Sequence, residues 1–212
     1  MQVLTLKLVL IFGLVFPLFA STDPIKLKKQ NFYKLIIPAV DKVYKELYSE
    51  YRHVKSYIEK KDIKNPLVIK YMKKYDTSDH VELLKRMKPH PKSIAIAQAA
   101  MESGWATSRF TKVANNLFGV WSFNKNEPRV PALKKRANKT VYLKKYTNVI
   151  DSIRDYYYVL STARAFSEFR KQKMKTDDPY MLVKKLNKYS EKGSNYAKEL
   201  VQMIKYNKLY RY

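Results

Sequence analysis

Glu102 is the residue of this sequence best placed to do chemistry. It ends a stretch from Ser93 in which almost every residue is apolar or small, so the helix predicted there runs through the interior of the fold. Its carboxyl group is then partly desolvated and near the negative end of the helix dipole, and both effects favour the protonated form. A neutral carboxylic acid can donate a proton to a leaving oxygen, as the general acid of a glycoside hydrolase does. The alternative is a helix-terminal Glu paired with a Lys or Arg.

Other site chemistries lack the residues they need. The chain has no cysteine, its three histidines are scattered, and its four glycines are too dispersed for a phosphate-binding loop. The zinc motif His-Glu-x-x-His and the hydrolase motif Gly-x-Ser-x-Gly are both missing from the sequence. We therefore expect neither a metal nor an organic cofactor.

Charge and composition indicate the surroundings in which the protein works. The 212 residues are 46% hydrophobic and 29% charged, which fits one domain with at most one appendage. The formal net charge of +25 predicts a polyanionic partner. An apolar run from Leu8 to Phe19 after Lys7, with Ala20 behind it, is typical of a secretory signal peptide over residues 1–20. An uncleaved signal anchor is the alternative.

Export of the protein limits its polyanionic partner to polymers found outside the cytoplasm. We expect localisation in the periplasm or cell envelope, with no stable membrane anchor after cleavage. There the partners are anionic envelope polymers such as lipopolysaccharide, teichoic acids and the stem peptides of peptidoglycan, and nucleic acid is not expected. We expect a monomer.

Apolar spacing predicts a mostly helical chain with one small β-hairpin, an α+β fold. The three-to-four spacing from Asn31 to Lys61 indicates one long helix, bent or interrupted at Pro38. Asp79 is placed to cap a later helix, and Gly104 to end the one that carries Glu102. The hairpin is expected between Trp121 and Leu143. The other predicted helices are Leu67–Tyr75, Asp79–Met87, Val149–Leu160, Ala165–Gln172, Tyr180–Tyr189 and Tyr196–Tyr206.

Two sequence runs carry a family resemblance. The runs Ile96–Phe110 and Asn115–Trp121 resemble the signature of the bacterial glucosaminidase family, whose domain is of the mannosyl-glycoprotein endo-β-N-acetylglucosaminidase type. The resemblance is closest to Bax-type members, which are similar to flagellar peptidoglycan hydrolase domains. Ordered matches extend over residues 79–209, so the chain divides into a signal peptide, an N-terminal helical extension over residues 21–78 and a glucosaminidase domain over residues 79–212.

The resemblance implies a lysozyme-like fold and an enzyme that cuts the β-1,4 bond after N-acetylglucosamine in the glycan strands of peptidoglycan. It makes Glu102 the general acid and Tyr189 the tyrosine facing it across the cleft. The alternatives are that Asn116 caps a turn and that Tyr189 or Tyr196 is a core aromatic. The substrate-binding residues expected on this basis are Trp105, Asn116, Phe118, Gly119, Trp121 and Tyr196.

The sequence departs from the family where a second carboxylate is expected. Many relatives carry one on the hairpin, but Asn138–Tyr142 contains none, and Glu127 is the only acidic residue between Ser103 and Ile150. Glu127 is therefore the candidate for the second catalytic carboxylate. Without it, the substrate's own N-acetyl oxygen can attack, with Tyr189 stabilising the developing charge.

Three other functions remain open at this point. The first is a glycan-binding envelope protein that has lost turnover. The second is a lytic transglycosylase that acts with one Glu, and the third is a cationic protein that disrupts envelopes or binds nucleic acid. Two roles are open for the N-terminal extension, which either packs against the domain or occludes its cleft.

Overall fold

The computed structural model describes residues 23–133 and 139–212, and there it is mostly helical with one two-stranded sheet. The predicted signal peptide, like the basic run at 134–136, lies outside the described residues. No helix of the described ranges combines the length and apolar character needed to cross a membrane. The elements are α1 (Pro24–Glu59), α2 (Pro66–Lys74), α3 (His80–Met87), α4 (Lys92–Ser103), α5 (Arg109–Ala114), β1 (Arg129–Pro131), β2 (Tyr142–Lys144), α6 (Val149–Thr162), α7 (Ser167–Lys173), α8 (Pro179–Val183) and α9 (Ser194–Tyr206).

Helix α1 is longer than predicted and passes through Pro38 without interruption. It begins at Asp23, whose carboxylate accepts a hydrogen bond from the Ile25 N–H (2.9 Å), with Pro24 in the first turn. Pro38 is exposed, so water can solvate the carbonyl that loses its partner in the turn before it. Buried Ile36 and Val40 hold the helix against the core on both sides of the proline. Packing therefore outweighs the local preference for a break.

The N-terminal helices share their cores with the rest of the chain. Phe32, Ile36 and Val40 of α1 belong to the same buried cluster as Ile94 and Ile96 of α4. The second half of α1 closes a smaller cluster with α2 and α3, built from Tyr51, Val54, Val68, Tyr71, Tyr75, Leu83 and Met87. The N-terminal extension thus packs against the domain through α1.

Helix α4 lies in the middle of the fold, as its composition predicts. Its residues from Ser93 to Ala100 are all buried, and it contacts α1, α8 and α9. It ends at Gly104, which adopts the left-handed conformation (φ 56°) that glycine tolerates. Trp105 and Ala106 also have positive φ values of 63° and 61°. The chain therefore turns sharply just after Glu102.

The small sheet is an antiparallel hairpin with strands of three residues, in the region where the sequence predicts one. Arg129 pairs with Lys144, Val130 with Leu143 and Pro131 with Tyr142, and Trp121 adds an isolated bridge to Leu143. The fold is α+β and mostly α, as predicted.

Two other segments differ from prediction. Helix α5, capped by Ser108, was not expected. Helix α8 ends at Val183, whereas a helix to Tyr189 was predicted. Beyond α8 the Ser190 hydroxyl accepts a hydrogen bond from the Lys192 N–H (3.3 Å), and such local bonds compete with helix. Tyr189 therefore sits on a turn between α8 and α9.

Candidate active site

Glu102 lies in the last turn of α4, with its carboxyl group held by a neighbouring helix. Its Oε1 accepts a hydrogen bond of 2.7 Å from the hydroxyl of Tyr196 on α9. The residue as a whole is exposed, yet desolvation of its carboxyl raises the pKa of Glu102 above its usual range, against the opposing effects of the Tyr196 hydrogen bond and the charge of Lys192. The site thus offers a solvent-accessible carboxyl with enhanced ability to hold a proton.

A buried chain of hydrogen bonds fixes the direction in which Tyr196 donates. The Tyr156 hydroxyl donates to Gln98 Oε1 (2.5 Å), and Gln98 Nε2 donates to the Tyr196 hydroxyl (2.9 Å). All three side chains are at most 2% exposed. Because the Tyr196 oxygen accepts a hydrogen bond from the Gln98 amide, its own hydroxyl hydrogen points to Glu102. We call Tyr156, Gln98 and Tyr196 the relay.

Gln98 and Tyr156 were not among the predicted site residues. The signal in the sequence was Gln98 itself, which is the one amide within a run of apolar and small residues on α4. A polar side chain in such a helix must find partners inside the fold. The identity of those partners depends on α6 and α9, which the sequence of α4 does not specify.

Tyr189 lies beside the relay. Its ring stacks on that of Tyr196, with centroids 5.5 Å apart and planes inclined by 10°. Its hydroxyl donates a long hydrogen bond of 3.4 Å to the Phe118 carbonyl. Burial raises the pKa of Tyr189 well above its usual range, so the phenol stays neutral. The structure therefore brings three predicted residues together, namely Glu102, Tyr189 and Tyr196.

Asn116 is one of the expected substrate-binding residues, and its side chain is buried in the loop that precedes the hairpin. The Asn116 side chain is 1% exposed, and its amide donates to the carbonyls of Val120 (3.0 Å) and Lys144 (2.9 Å) while its oxygen accepts from the Val120 N–H (3.0 Å). The polar atoms of the Asn116 side chain thus bind the backbone, and the expected contact between Asn116 and substrate stays a prediction. This matches the alternative that Asn116 caps a turn.

Phe118 and Gly119 contribute through their backbone. The Phe118 ring is buried and stacks on Tyr156 at 3.9 Å, so the backbone of Phe118 is the part left for the expected contact with substrate. Gly119 has a φ of +67°, and a Cβ atom on it would meet nothing within 4 Å. The glycine is therefore favoured by its backbone conformation and leaves open space at this point of the loop.

Trp105 packs against the N-terminal helix on one side. Its ring meets Phe32 (5.2 Å) and Tyr33 (5.8 Å) edge to face, and the Lys29 ammonium lies 4.8 Å from its centroid. The residue is still partly exposed and lines a groove of about 980 Å³ next to Glu102. One side of Trp105 therefore packs on the core, and the other side forms part of the groove wall.

The hairpin presents a pair of exposed aromatic side chains. Trp121 is 40% exposed and Phe123 is 85% exposed, and their rings lie 6.1 Å apart. Between them Ser122 is buried, so the two rings share one face of an extended segment. Phe123 was missed by the sequence analysis, although the alternation Trp-Ser-Phe was the pattern that marks it.

Glu127 lies at the base of the hairpin and is engaged there. Its carboxylate is 3.9 Å from the Lys144 ammonium, which is also 3.0 Å from Asp155. The Tyr146 hydroxyl donates to the same Asp155 (2.7 Å). No hydrogen bond or ion pair recorded for the described residues joins Glu127 to Glu102 or to the relay. The structure does not bring the two carboxylates into direct contact.

Residues 23–133 and 139–212 contain no cluster of three His, Cys, Asp or Glu side chains arranged to hold a metal ion. The chemistry that these residues can supply is that of an acid with a tuned proton affinity, a neutral phenol beside it and aromatic surfaces on either side. Proton donation to an oxygen of a bound carbohydrate fits this set.

Known proteins share sequence similarity with this chain. Residues 77–209 match the family model of mannosyl-glycoprotein endo-β-N-acetylglucosaminidase, over more than half of the chain. Protein bax of Escherichia coli (strain K12) is 33% identical over 131 residues, which are 59% of this chain and 46% of that protein. The chain thus spans about half the length of this curated relative.

Two solved structures share the fold. The catalytic domain of the autolysin Auto from Listeria monocytogenes has 20% identity and a TM-score of 0.53, over 92% of this chain and 90% of that one. A peptidoglycan hydrolase mutant from Sphingomonas sp. A1 has 16% identity and a TM-score of 0.51, over 86% and 96% respectively. These likenesses confirm the predicted lysozyme-like fold. The motifs around Glu102 and the matched residues agree, and the chain belongs to the glucosaminidase family.

Proposed function

We propose that this protein is a glycoside hydrolase that cleaves the β-1,4 bond after N-acetylglucosamine in peptidoglycan, with Glu102 as its general acid. The main support for this proposal is the environment of the Glu102 carboxyl. Desolvation raises its pKa, and a hydrogen bond of 2.7 Å from the Tyr196 hydroxyl fixes its orientation. Family membership and the name of the similar structure from Sphingomonas sp. A1, a peptidoglycan hydrolase mutant, support peptidoglycan as the substrate.

The proposed reaction begins with proton transfer from Glu102 to the glycosidic oxygen. As that oxygen takes the proton, the bond between it and the anomeric carbon breaks and the leaving sugar departs with a new hydroxyl group. Tyr196 keeps its hydrogen bond to the resulting carboxylate, which stabilises the conjugate base as charge develops on it. Water then adds to the anomeric carbon, so that its oxygen becomes the hydroxyl of the new reducing end and its released proton returns to the Glu102 carboxylate.

Two groups can stabilise the anomeric carbon. Glu127 is one, and its carboxylate lies 3.9 Å from the Lys144 ammonium. The other is the N-acetyl oxygen of the substrate, with the neutral Tyr189 phenol beside it. The lack of a carboxylate in Asn138–Tyr142, where many relatives carry one, favours the second route, which needs no second carboxylate. In that route Trp121 and Phe123 hold the sugar from the hairpin side.

Export to the periplasm or cell envelope belongs to the same proposal. Its support is the apolar run from Leu8 to Phe19 and the net charge of +25, which suits anionic envelope polymers. Fractionation of cells that express the full chain, with N-terminal sequencing of the product, tests it. Recovery of an uncleaved chain from the cytoplasm would contradict export.

Digestion of purified peptidoglycan with wild type and Glu102→Gln tests the activity. Mass spectrometry of the fragments is expected to find new reducing N-acetylglucosamine ends with wild type alone. Release of 1,6-anhydro sugars would instead identify a lytic transglycosylase. If both proteins bind the glycan and neither releases fragments, the chain is a binding protein.

A further inference from the structure

The groove of about 980 Å³ beside Glu102 is formed by α1, the end of α4, and α9 with its flanking turns. Met101 and Trp105, on either side of Glu102 in the chain, both line it. Lys192 and Glu199 also line it, and these are the charged residues that act on the Glu102 carboxyl. The groove therefore adjoins the acid, and none of its lining residues comes from the hairpin.

Positive charge predominates in this groove. Three lysines line it, Lys29, Lys192 and Lys205, against the single carboxylate of Glu199. Lys192 lies 2.8 Å from Glu199, so these two charges compensate each other. The charges that remain are the ammonium groups of Lys29 and Lys205.

Lys29 is held in place by neutral groups. Its ammonium donates to Asn207 Oδ1 (2.9 Å) and lies 4.8 Å from the Trp105 ring centroid and 5.3 Å from that of Tyr206. Within the described ranges, no carboxylate forms an ion pair with it. An ammonium has three donors and Asn207 takes one of them. Lys29 is thus an oriented cation with donors left for a ligand, and little ordering entropy is lost when it binds one.

We infer that this groove is a subsite for a carboxylate carried by the glycan strand, with Lys29 as its anchoring cation. The inference rests on the proposed function, and it narrows the substrate class to acidic strands. Peptidoglycan offers carboxylates of two kinds, the lactyl group on the sugar and the acidic groups of the attached peptides. The inference also gives α1 a part in substrate binding, because Lys29 is one turn before Phe32 and Tyr33, which pack on Trp105.

Binding of soluble strands to the full chain carrying Glu102→Gln tests the subsite without turnover. The probes are peptide-bearing strands, strands stripped of peptides by an amidase, and both after conversion of their carboxylates to amides. Lys29→Met, placed in that background, is expected to raise Kd about fivefold for strands with free carboxylates and to leave Kd unchanged for the amidated strands. The strand type with the larger loss identifies the carboxylate.

Matched variants separate charge from structure. Lys29→Gln removes the charge but keeps a donor for Asn207 and is expected to behave like Lys29→Met, while Lys29→Arg retains binding. Lys26→Met removes an exposed lysine of the same helix that does not line the groove and should change nothing.

An equal effect of both neutral variants on charged and amidated strands, or no effect on either, would overturn the subsite. Failure of the proposed function is a separate result, in which wild type releases no reducing ends whatever the binding data show.

Discussion

The two sides of the candidate site are built differently. On the helical side, Glu102 is held by Tyr196, and Tyr196 by Gln98 and Tyr156, in a chain of hydrogen bonds among buried side chains. On the hairpin side, Trp121 and Phe123 lie in the segment before β1, where Trp121 bridges Leu143 of β2, and both rings are exposed to solvent. The first side resembles a protein interior, whereas the second is a surface.

This difference assigns the chemical step to the helical side and substrate binding to the hairpin side. A general acid needs a fixed position and a tuned pKa, and both depend on neighbours that do not move. Exposed aromatic faces need only a partner of suitable shape. We therefore expect changes on the helical side to affect turnover and stability, and changes on the hairpin to affect substrate affinity.

The largest expected effect is the loss of kcat on substitution of Glu102, and substitution of Glu127 provides the comparison. Glu102→Gln removes the proton donor and should lower kcat by roughly 10²- to 10⁴-fold. Glu127→Gln removes a carboxylate already paired with Lys144 and should cost less than about tenfold. Steady-state kinetics on soluble glycan strands measures both. Similar losses in the two variants would make Glu127 the second catalytic carboxylate and place chemistry on the hairpin.

Gln98→Leu tests the relay itself. It leaves the buried Tyr156 hydroxyl without an acceptor and the Tyr196 oxygen without a donor, so the free energy of unfolding should fall by about 2 kcal/mol. Turnover should fall roughly tenfold or more, because Tyr196 no longer has a fixed orientation.

Urea unfolding and kinetics measure these two losses. Gln30→Leu, at an exposed position of α1, is the matched control and should unfold like wild type. A Gln98→Leu protein with wild-type stability and turnover would show that the relay orients nothing.

Trp121→Ala and Phe123→Ala test the hairpin side and should give smaller effects. Each is expected to raise KM a few-fold by removing about 1 kcal/mol of contact with a sugar ring, and to leave kcat and the melting temperature nearly unchanged. Leu133→Ala, at an 82% exposed position between the strands, controls for loss of apolar surface and should not alter KM. A fall in kcat with constant KM would assign these residues to the chemical step.

Local sequence signals predicted the helix that carries Glu102 and the cap of the helix before it. The apolar composition of α4, the glycine after it and the cap at Asp79 are all local features, and each was correct in the structure. The motifs also identified Tyr189 and Tyr196, which lie together although no periodicity relates them to Glu102. These two tyrosines were identified from the resemblance to the family, because residue spacing does not relate them to Glu102.

Long-range packing accounts for what was missed. The contacts that bury the side chains of Asn116 and Phe118 come from the hairpin and α6, which are distant from them in sequence. The break expected at Pro38 was absent because residues on both sides are anchored in the core. Lys29 gave no signal at all, since its place at the groove depends on where α1 crosses Trp105 and Asn207.

The most direct test of the account is to titrate the Glu102 carboxyl by ¹³C NMR, identified by its absence in Glu102→Gln, and to compare it with the pH dependence of kcat/KM. A general acid works only when protonated, so activity should be lost as pH rises through the pKa of Glu102. In Tyr196→Phe the carboxylate loses a stabilising hydrogen bond and its pKa should rise further.

If Glu102 is the acid, the alkaline limb of activity coincides with the Glu102 titration and moves to higher pH with it in Tyr196→Phe. A limb that stays in place while the carboxyl titration moves would contradict the assignment of Glu102 as the acid.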